Sequence, residues 1–220
     1  MIQEISEGLR KAPKFRSWIR QLVGNGLKIH AVREKFTRFK HDGDLLFALL
    51  MLEATTPEGD KLPPVCFIKG SVVSVLICLI DQDTRERYLL LVKQRRICNG
   101  DFIYEQVAGM VDGEDEPHDV AVRETEEETG LRVTKDQVHP LNDKPYFVSS
   151  GTSDESIYFY YAELEMSREE IAAYDQQEAG LAGEHERIYT HIATIDEARR
   201  LITNVNGLLN IHLYLDKAGV

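Results

Sequence analysis

The hydrophobic positions of this chain change their period near residue 24. Apolar side chains recur at helical spacing over residues 9–22, which predicts an amphipathic helix that tolerates Pro13. The sequence Gly24-Asn25-Gly26 then interrupts the helical pattern. From there to residue 52 the apolar residues follow strand patterns with a turn between them. We therefore predict a small N-terminal unit, a helix followed by β-strands, over residues 1–66.

The remainder, residues 67–220, alternates strand-like and helix-like patterns. Aliphatic and β-branched residues dominate the longest apolar run, and shorter strand patterns follow it. Strands are predicted at 72–80, 88–92, 102–106, 146–149, 156–163 and 187–191. Helices are predicted at 117–129, 167–177, 195–203 and 208–217. This mixture indicates an α+β or a three-layer α/β/α domain.

Composition and charge narrow the class of protein. The 220 residues include 26 Lys and Arg against 37 Asp and Glu, a formal charge of −11. Such a charge repels nucleic acid and anionic membranes, so neither is an expected partner. The apolar run at 72–80 is far shorter than the roughly 20 residues of a membrane span. Three widely spaced cysteines give no disulfide framework or zinc pattern, so we expect a reducing, cytoplasmic location.

Residues 109–131 form the most informative segment. Pro117 suits the first turn of a helix, and Gly130 suits the left-handed position that follows the last turn. On that helix Glu124, Glu127 and Glu128 fall within one arc of about 100°, because spacings of three and four return to the same face. Glu126 projects elsewhere and is expected to be a surface charge.

The many acidic side chains on and just before this helix repel one another, so a compensating positive charge is expected. Nine carboxylates stand between residues 112 and 128 against the single Arg123, which is spaced to pair with Glu127. Each like-charged pair costs about 0.2–0.5 kcal/mol even when exposed. A run of three glutamates by itself is typical of a solvated helix face. Combined with the glycine loop and the marked helix ends, however, the spacing favours a site for a hard divalent cation such as Mg²⁺.

This segment resembles the Nudix box, whose pattern is G-x5-E-x7-R-E-U-x-E-E-x-G-U with U apolar. Counted from Gly109, the matching positions are Arg123, Glu124, Glu127, Glu128, Gly130 and Leu131. Asp115 stands where the pattern has Glu, and Thr125 stands where it has an apolar residue. The resemblance implies a Nudix α/β/α sandwich with a mixed sheet over residues 67–220. It also implies that the N-terminal unit forms a homodimer.

The flanking segments resemble one branch of the family. Residues 93–96 and 104–109 look like the E-Q-x-R and E-L-P-A-G stretches of ADP-ribose and nucleoside-diphosphate-sugar diphosphatases, with Val107 in place of Pro. Residues 150–155 and 180–186 resemble the acidic loops of the same branch. The resemblance therefore covers most of the chain.

The resemblance implies Mg²⁺-dependent hydrolysis of a nucleoside diphosphate sugar, such as ADP-ribose, ADP-glucose or UDP-glucose, to a nucleoside monophosphate and a sugar phosphate. Mn²⁺ is expected to substitute for Mg²⁺. The implied metal ligands are Glu124, Glu127, Glu128 and the carbonyl oxygen of Ala108. This chemistry agrees with the acidic helix, because bound cations neutralise the charge that develops as water attacks a diphosphate.

The general base has more than one candidate. Glu186 is the first choice and Glu155 the second, because the family aims their loops at the metal centre. Asp154 and Glu184 are the neighbouring alternatives, and Glu127 is counted among the catalytic groups as well as the ligands. For each loop acid, an exposed carboxylate without a catalytic role is the competing interpretation.

Substrate contacts are expected from the segments before the helix. Arg96 is a candidate to bind substrate phosphate in a bidentate manner, whereas a surface ion pair is the competing interpretation. Glu105 is expected to orient the substrate or a neighbouring strand, and Gln94 completes the candidate set.

Three other functions stay open at this point. One is a Nudix hydrolase for another nucleoside diphosphate derivative, a dinucleotide or a nucleoside triphosphate. Another is a catalytically weak regulator that binds nucleotide sugars, which the Asp115 departure allows. A third is an acidic helix that buffers metal or binds a partner, and the glycine loop and Arg96 argue against it.

Overall fold

The computed structural model describes residues 5–113, 115–180 and 187–219. Its internal contacts divide the chain into two compact units. The first unit comprises Met1–Ser71, Met110–Asp115 and Tyr146–Ile157, and the second comprises Val72–Gly109, Glu116–Pro145 and Tyr158–Val220. The division at residues 66 and 67 stays a prediction.

Short helices alternate with strands of very different length along the chain. The helices are α1 (Glu7–Lys11), α2 (Pro13–Gly24), α3 (Pro117–Thr129), α4 (Arg168–Ala173), α5 (Ile195–Leu201) and α6 (Val205–Ala218), with a 3-10 turn at Lys135–Gln137. The strands are β1 (Lys28–Phe39), β2 (Leu45–Thr55), β3 (Val65–Ile68), β4 (Ser71–Asp81), β5 (Arg87–Arg95), β6 (Phe102–Glu105), β7 (Val107–Met110), β8 (Val138–Pro140), β9 (Tyr146–Phe147), β10 (Ser156–Met166), β11 (Glu178–Ala179) and β12 (Ile188–Thr194).

The first unit begins with two helices where the sequence pattern predicts one. Ala12 adopts an extended conformation and ends α1, and Pro13 occupies the first turn of α2. A proline lacks the N–H that a continuous helix needs four residues after a carbonyl, but it costs nothing in a first turn. The expectation that one helix runs through Pro13 was therefore wrong.

These helices cover one face of an antiparallel sheet in the order β1-β2-β3. Their apolar side chains and the inward side chains of the sheet form one buried cluster. Its members are Leu9, Ala12, Phe15, Trp18, Val32, Leu45, Ala48, Leu50, Leu52, Ala54 and Ile68. Alternate residues of β2 thus point into this core.

The opposite face of the same sheet is apolar and open. Phe36 pairs with Leu49 across β1 and β2, and Leu49 pairs in turn with Phe67 on β3. The Phe47 ring lies 6.1 Å from the Phe36 ring and 5.5 Å from the Phe67 ring. Phe36 is 54% exposed, Leu49 38% and Val65 40%. We call Phe36, Phe47, Leu49, Val65 and Phe67 the outer apolar face.

The second unit is built on a sheet whose strands follow the order β11-β12-β5-β4-β10-β8. Strand β6 pairs with β5, and β7 pairs with β4. Nearly every residue of β4 is buried, which means that both faces of this central strand are covered. Helices α5 and α6 cover one face through Ala198, Ile211 and Tyr214, which pack with residues of β4, β5 and β12. Within the described residues, no helix is long and apolar enough to cross a membrane.

Candidate active site

Helix α3 begins and ends where its sequence predicts. Pro117 stands in the first turn, and Gly130 takes a left-handed conformation with φ +70° while its N–H donates to the carbonyl oxygen of Glu126. Thr125, which replaces an apolar residue of the Nudix pattern, is buried. Its hydroxyl donates to the carbonyl oxygen of Ala121 at 2.8 Å, so the substitution leaves no unsatisfied donor in the core.

The first glutamate of the motif lies directly against strand β7. A Cβ atom built on Gly109 would stand only 2.1 Å from Cδ of Glu124 and 2.2 Å from its Oε1. Such distances are far below van der Waals contact, so only glycine allows this close approach of side chain to backbone. Gly109 therefore admits the Glu124 carboxylate to the edge of β7.

The second glutamate of the face reaches the neighbouring residue of the same strand. Oε2 of Glu128 accepts a hydrogen bond from the N–H of Ala108 at 3.1 Å, and Glu128 is only 7% exposed. Glu124 and Glu128 are one helical turn apart, which explains why both meet the same four-residue strand. The structure thus brings together two of the four predicted ligands, Glu124 and Glu128, and the residue whose carbonyl oxygen is another.

The other charged residues of α3 have different surroundings. Glu127 is partly buried, and its backbone carbonyl accepts the N–H of Gly180 at 3.2 Å. Glu126 is exposed, as its place on the helix predicts, and it pairs with Arg132 at 2.8 Å. Arg123 is spaced one helical turn from Glu127 to pair with it. In the structure, its Nη2 atom lies 3.6 Å from Oε1 of Glu124.

The donor set fits a hard cation that keeps part of its own hydration. In the described part of the chain, no three His, Cys, Asp or Glu side chains are grouped to hold a metal ion by themselves. Mg²⁺ is usually held by one or two carboxylates, several waters and the phosphates of the substrate. The carboxylates of Glu124 and Glu128, with the backbone oxygen of Ala108, are oxygen donors of the type such a cation takes.

The predicted substrate-binding residues lie on β5, β6 and the turn between them. Nε of Arg96 donates to Oε2 of Glu105 at 2.7 Å, and the Arg96 side chain is 37% exposed. Gln94 is buried, and its backbone pairs with Ile103 on β6 and Ile188 on β12. Glu105 therefore orients Arg96, and this contact leaves other guanidinium N–H groups of Arg96 able to donate.

The described base candidates belong to the first unit. Lys69 Nζ donates to Oε1 of Glu155 at 2.5 Å. Asp154 is more enclosed: its Oδ1 accepts the N–H groups of Lys69 at 2.7 Å and Gly70 at 3.1 Å. Burial raises the pKa of Asp154 above its ordinary value, and the amide donors offset only part of this increase. Glu184 and Glu186 lie outside the described residues.

Two functional features escape the sequence pattern. The first is the role of Gly109. Strand β7 is too short to show a period, so the sequence identifies Gly109 only as the first residue of the motif and does not show that its missing side chain makes room for Glu124. The second feature is the pair of lysines around Asp112, three residues further on, because neither lysine is near Asp112 in the sequence.

Comparison with known proteins places the chain in a family. The family model described as NUDIX domain matches residues 70–201. Nudix hydrolase 14, chloroplastic, from Arabidopsis thaliana is 30% identical over 208 residues, which cover 89% of this chain and 62% of that protein. ADP-ribose pyrophosphatase from Haemophilus influenzae (strain ATCC 51907 / DSM 11121 / KW20 / Rd) is 32% identical over 139 residues. These residues cover 60% of this chain and 58% of that protein. The chain thus spans about three fifths of the length of these relatives.

A solved structure gives the same result for the fold. A crystal structure described as that of an ADP compounds hydrolase matches 88% of this chain and 96% of its own, with a TM-score of 0.60 and 15% identity. This match confirms the α/β fold class that the sequence predicts. Because the family model covers more than half of the residues, it also confirms the resemblance drawn from the acidic helix: the chain belongs to the Nudix family.

Proposed function

We propose that this protein is a metal-dependent hydrolase of nucleoside diphosphate sugars of the ADP-ribose type. It cleaves the diphosphate bond and releases a nucleoside monophosphate and a sugar phosphate. The observation that carries the proposal is the convergence of Glu124 and Glu128 on residues 108 and 109 of β7. Two half-buried to buried acids directed at one backbone edge are suited to a cation that binds phosphate oxygens.

The relatives support the substrate class. One is named an ADP-ribose pyrophosphatase, and a protein of the same fold is described as an ADP compounds hydrolase. ADP-ribose is therefore the first substrate to test, and ADP-glucose and UDP-glucose follow as members of the same chemical class. Other nucleoside diphosphate derivatives, or binding without turnover, are the alternatives that the same assay separates.

Some residues of this chain would bind the metal ion, and others bind or orient the substrate phosphate. Glu124, Glu127, Glu128 and the Ala108 carbonyl oxygen would hold Mg²⁺, with Mn²⁺ as a substitute, and Nudix hydrolases generally use divalent metal ions. When bound, the metal neutralises negative charge that develops on the diphosphate. Arg96 binds a phosphate oxygen with the N–H groups that Glu105 does not use, and Gln94 pairs within β5, the strand that leads to Arg96.

The proton of the attacking water needs an acceptor within about 3 Å. Glu186 is the first candidate for this base, from its segment's resemblance to the family's acidic loop. Glu155 is the second, because Lys69 already occupies one of its carboxylate oxygens. Replacing the true base with Gln lowers kcat and leaves substrate affinity nearly unchanged.

We also propose that the protein is a homodimer through the outer apolar face of the first unit. Three aromatic rings and two aliphatic side chains on one open sheet face are the kind of surface that a second copy buries. Light scattering tests it with Phe36→Glu, and Val205→Glu is the control because Val205 is also an exposed apolar residue, 78% exposed, but belongs to α6 and not to that face. Dimeric wild type and control with a monomeric Phe36 variant support the proposal, and a monomeric wild type contradicts it.

The activity is tested with a substrate panel. ADP-ribose, ADP-glucose, UDP-glucose, a diadenosine polyphosphate and ATP are incubated with Mg²⁺ or Mn²⁺, and the released nucleotides are separated and quantified. We expect AMP from ADP-ribose, no turnover in EDTA, and recovery when Mg²⁺ is restored. Full turnover in EDTA contradicts the metal role, and binding of ADP-ribose without AMP release indicates a regulator.

The cytoplasmic location and the lack of a nucleic-acid partner stay predictions.

A further inference from the structure

A lysine of the first unit is buried against an acid of the Nudix box. Lys14 on helix α2 has a side chain that is only 7% exposed, and its Nζ lies 2.7 Å from Oδ1 of Asp112. Lys40, at the end of β1, donates to the other oxygen of the same carboxylate at 2.5 Å. Asp112 therefore lies between two ammonium groups, one of them almost inaccessible to water.

The charge of the same lysine also acts on a second acid. Its aliphatic stem packs on Gly70, where a Cβ atom would come within 3.1 Å of Lys14 Cδ. The backbone N–H of Gly70 donates to Asp154, and the charge of Lys14 acts electrostatically on that carboxylate. Lys14 thus pairs with Asp112 and acts electrostatically on Asp154, two acids that come from separate segments of the first unit.

This arrangement is a poor way to gain stability alone. The Nζ atom of Lys14 and the Oδ1 atom of Asp112 are both buried, and their close approach is not aligned as a hydrogen bond. Removing two charges from water costs more than a pair regains unless the geometry is good, and an apolar pair of similar volume is often as stable. A buried pair of this kind is better explained by the local backbone conformation that it fixes.

What it specifies is the path of the described residues between β7 and α3, 110–113 and 115. The N–H of Val111 donates to the carbonyl oxygen of Ser71 at 2.9 Å, and the N–H of Asp115 donates to the carbonyl oxygen of Asp112 at 2.9 Å, closing a turn. In its described part this segment has no helix and only Met110 in a strand. Its one end continues into β7, which carries Ala108 and Gly109, and its other end continues into α3.

We propose that Lys14 is a positioning residue for the Nudix site, because it fixes the carboxylate of Asp112 and with it the loop that joins β7 to α3. A displaced loop changes where β7 meets Glu124 and Glu128, and misplacement by about 1 Å can cost up to a hundredfold in rate. This inference rests on the proposed function for its kinetic part only.

The test compares Lys14→Met with Asp112→Asn and with their double variant. We expect each single variant to lower kcat for ADP-ribose about tenfold with a change in KM of less than about twofold. The double variant is expected to be no slower than the slower single variant, because the two side chains act through one contact. Lys11→Met is the matched control: Lys11 also pairs with an acid, Glu7, but both side chains are exposed.

A second measurement does not depend on activity. Hydrogen–deuterium exchange of a peptide covering residues 108–116 reports whether the loop is held, even if ADP-ribose is not the substrate. We expect exchange at least about tenfold faster in Lys14→Met than in wild type and Lys11→Met. An inactive wild type whose loop is loosened by Lys14→Met would therefore refute the proposed function and leave the positioning role supported.

The outcomes that overturn the inference are equally defined. Unchanged exchange of the loop in folded Lys14→Met refutes it, and so does additivity of the two single variants in kcat. If Lys14→Met does not fold, Lys40→Met decides, because Lys40 is 31% exposed and holds the other oxygen of Asp112. Faster loop exchange in Lys40→Met supports the inference, and wild-type exchange overturns it.

Discussion

Two acids of the first unit, Asp112 and Glu155, and the two candidate ligands of helix α3, Glu124 and Glu128, are held in different ways. In the first unit, Asp112 lies against Lys14 and Lys40, and Glu155 lies against Lys69. On helix α3, Glu128 accepts a backbone N–H, and Glu124 lies against the backbone of a glycine. Asp112 and Glu155 thus meet lysine ammonium groups, whereas Glu128 and Glu124 meet the main chain of β7, with Arg123 3.6 Å from Glu124.

This difference separates structural acids from acids that serve a ligand. A lysine ammonium cancels the charge of its partner, but an amide N–H is neutral and orients a carboxylate without cancelling its charge. Helix α3 itself carries five carboxylates against the single Arg123, which leaves it negatively charged. Orientation without neutralisation is what a site for a divalent cation requires.

The largest effect is expected at Glu128. Glu128→Gln keeps the shape and an oxygen for the Ala108 N–H, but removes the charge. We expect kcat for ADP-ribose to fall about 10³-fold, equivalent to about 4 kcal/mol of transition-state stabilisation. Glu126→Gln, on the exposed side of the same helix, is expected to keep wild-type kcat. Steady-state kinetics with thermal unfolding of both variants makes the comparison, and equal loss in both would show that the wrong face has been assigned.

At Asp112 we expect a loss of stability that depends on pH. Burial favours a higher pKa for Asp112, but the contacts with Lys14 and Lys40 outweigh it, so the folded pKa lies below the ordinary value of 3.8. The stabilisation is therefore present above pH 3.8 and is lost as the pH falls through the folded pKa. Asp112→Asn should lower the free energy of unfolding by about 3 kcal/mol at pH 7, because it leaves a buried ammonium without its charged partner.

Urea unfolding of wild type and Asp112→Asn between pH 7 and pH 2.5 measures this dependence. The difference between the two proteins should stay constant down to about pH 4 and shrink below it. Asp154, whose raised pKa acts with the opposite sign, is present in both proteins and does not create the difference. A gap that widens as the pH falls would contradict the assignment.

The helix that carries the candidate ligands is the best predicted part of the molecule. Its ends are set by local chemistry, a proline that fits only a first turn and a glycine that adopts φ +70°. The face shared by Glu124 and Glu128 follows from helical period alone. By contrast, the apolar spacing alone does not show that Pro13 begins a new helix, although the rule that places Pro117 in a first turn applies to Pro13 as well.

Sequence patterns do not predict the contacts that position the loop between β7 and α3. Lys40 and Asp112 are 72 positions apart with several strands between them, and no periodicity links the two positions. Strand β7 has four residues, too few to show alternation, although it presents Ala108 and Gly109 to the helix. Sequence therefore finds the acids, and only the fold shows which of them meet lysines and which meet the main chain.

Gly109→Ala probes the main-chain side of the comparison with a smaller expected effect. The added Cβ would overlap the Glu124 carboxylate, whose flexible side chain can move away at little cost to stability. We expect kcat to fall about 30-fold, or about 2 kcal/mol, while the melting temperature stays within a few degrees. Gly151→Ala is the control, since a Cβ atom there meets nothing within 4 Å. A large loss of stability with unchanged kcat would make Gly109 a folding residue only.

The smallest effect is expected at an exposed ion pair, which gives the comparison its lower limit. Lys11 and Glu7 are one turn apart on α1, with their charged atoms at 2.5 Å, yet their side chains are 67% and 80% exposed. Water solvates both ions already, so such a pair contributes no more than about 0.5 kcal/mol and less in salt. Lys11→Met should therefore change the free energy of unfolding by less than that amount and leave kcat unchanged. If urea unfolding showed a loss as large as that of Asp112→Asn, burial would not be what distinguishes the two lysine–carboxylate contacts, and the structural role assigned to the Asp112 pair would need another cause.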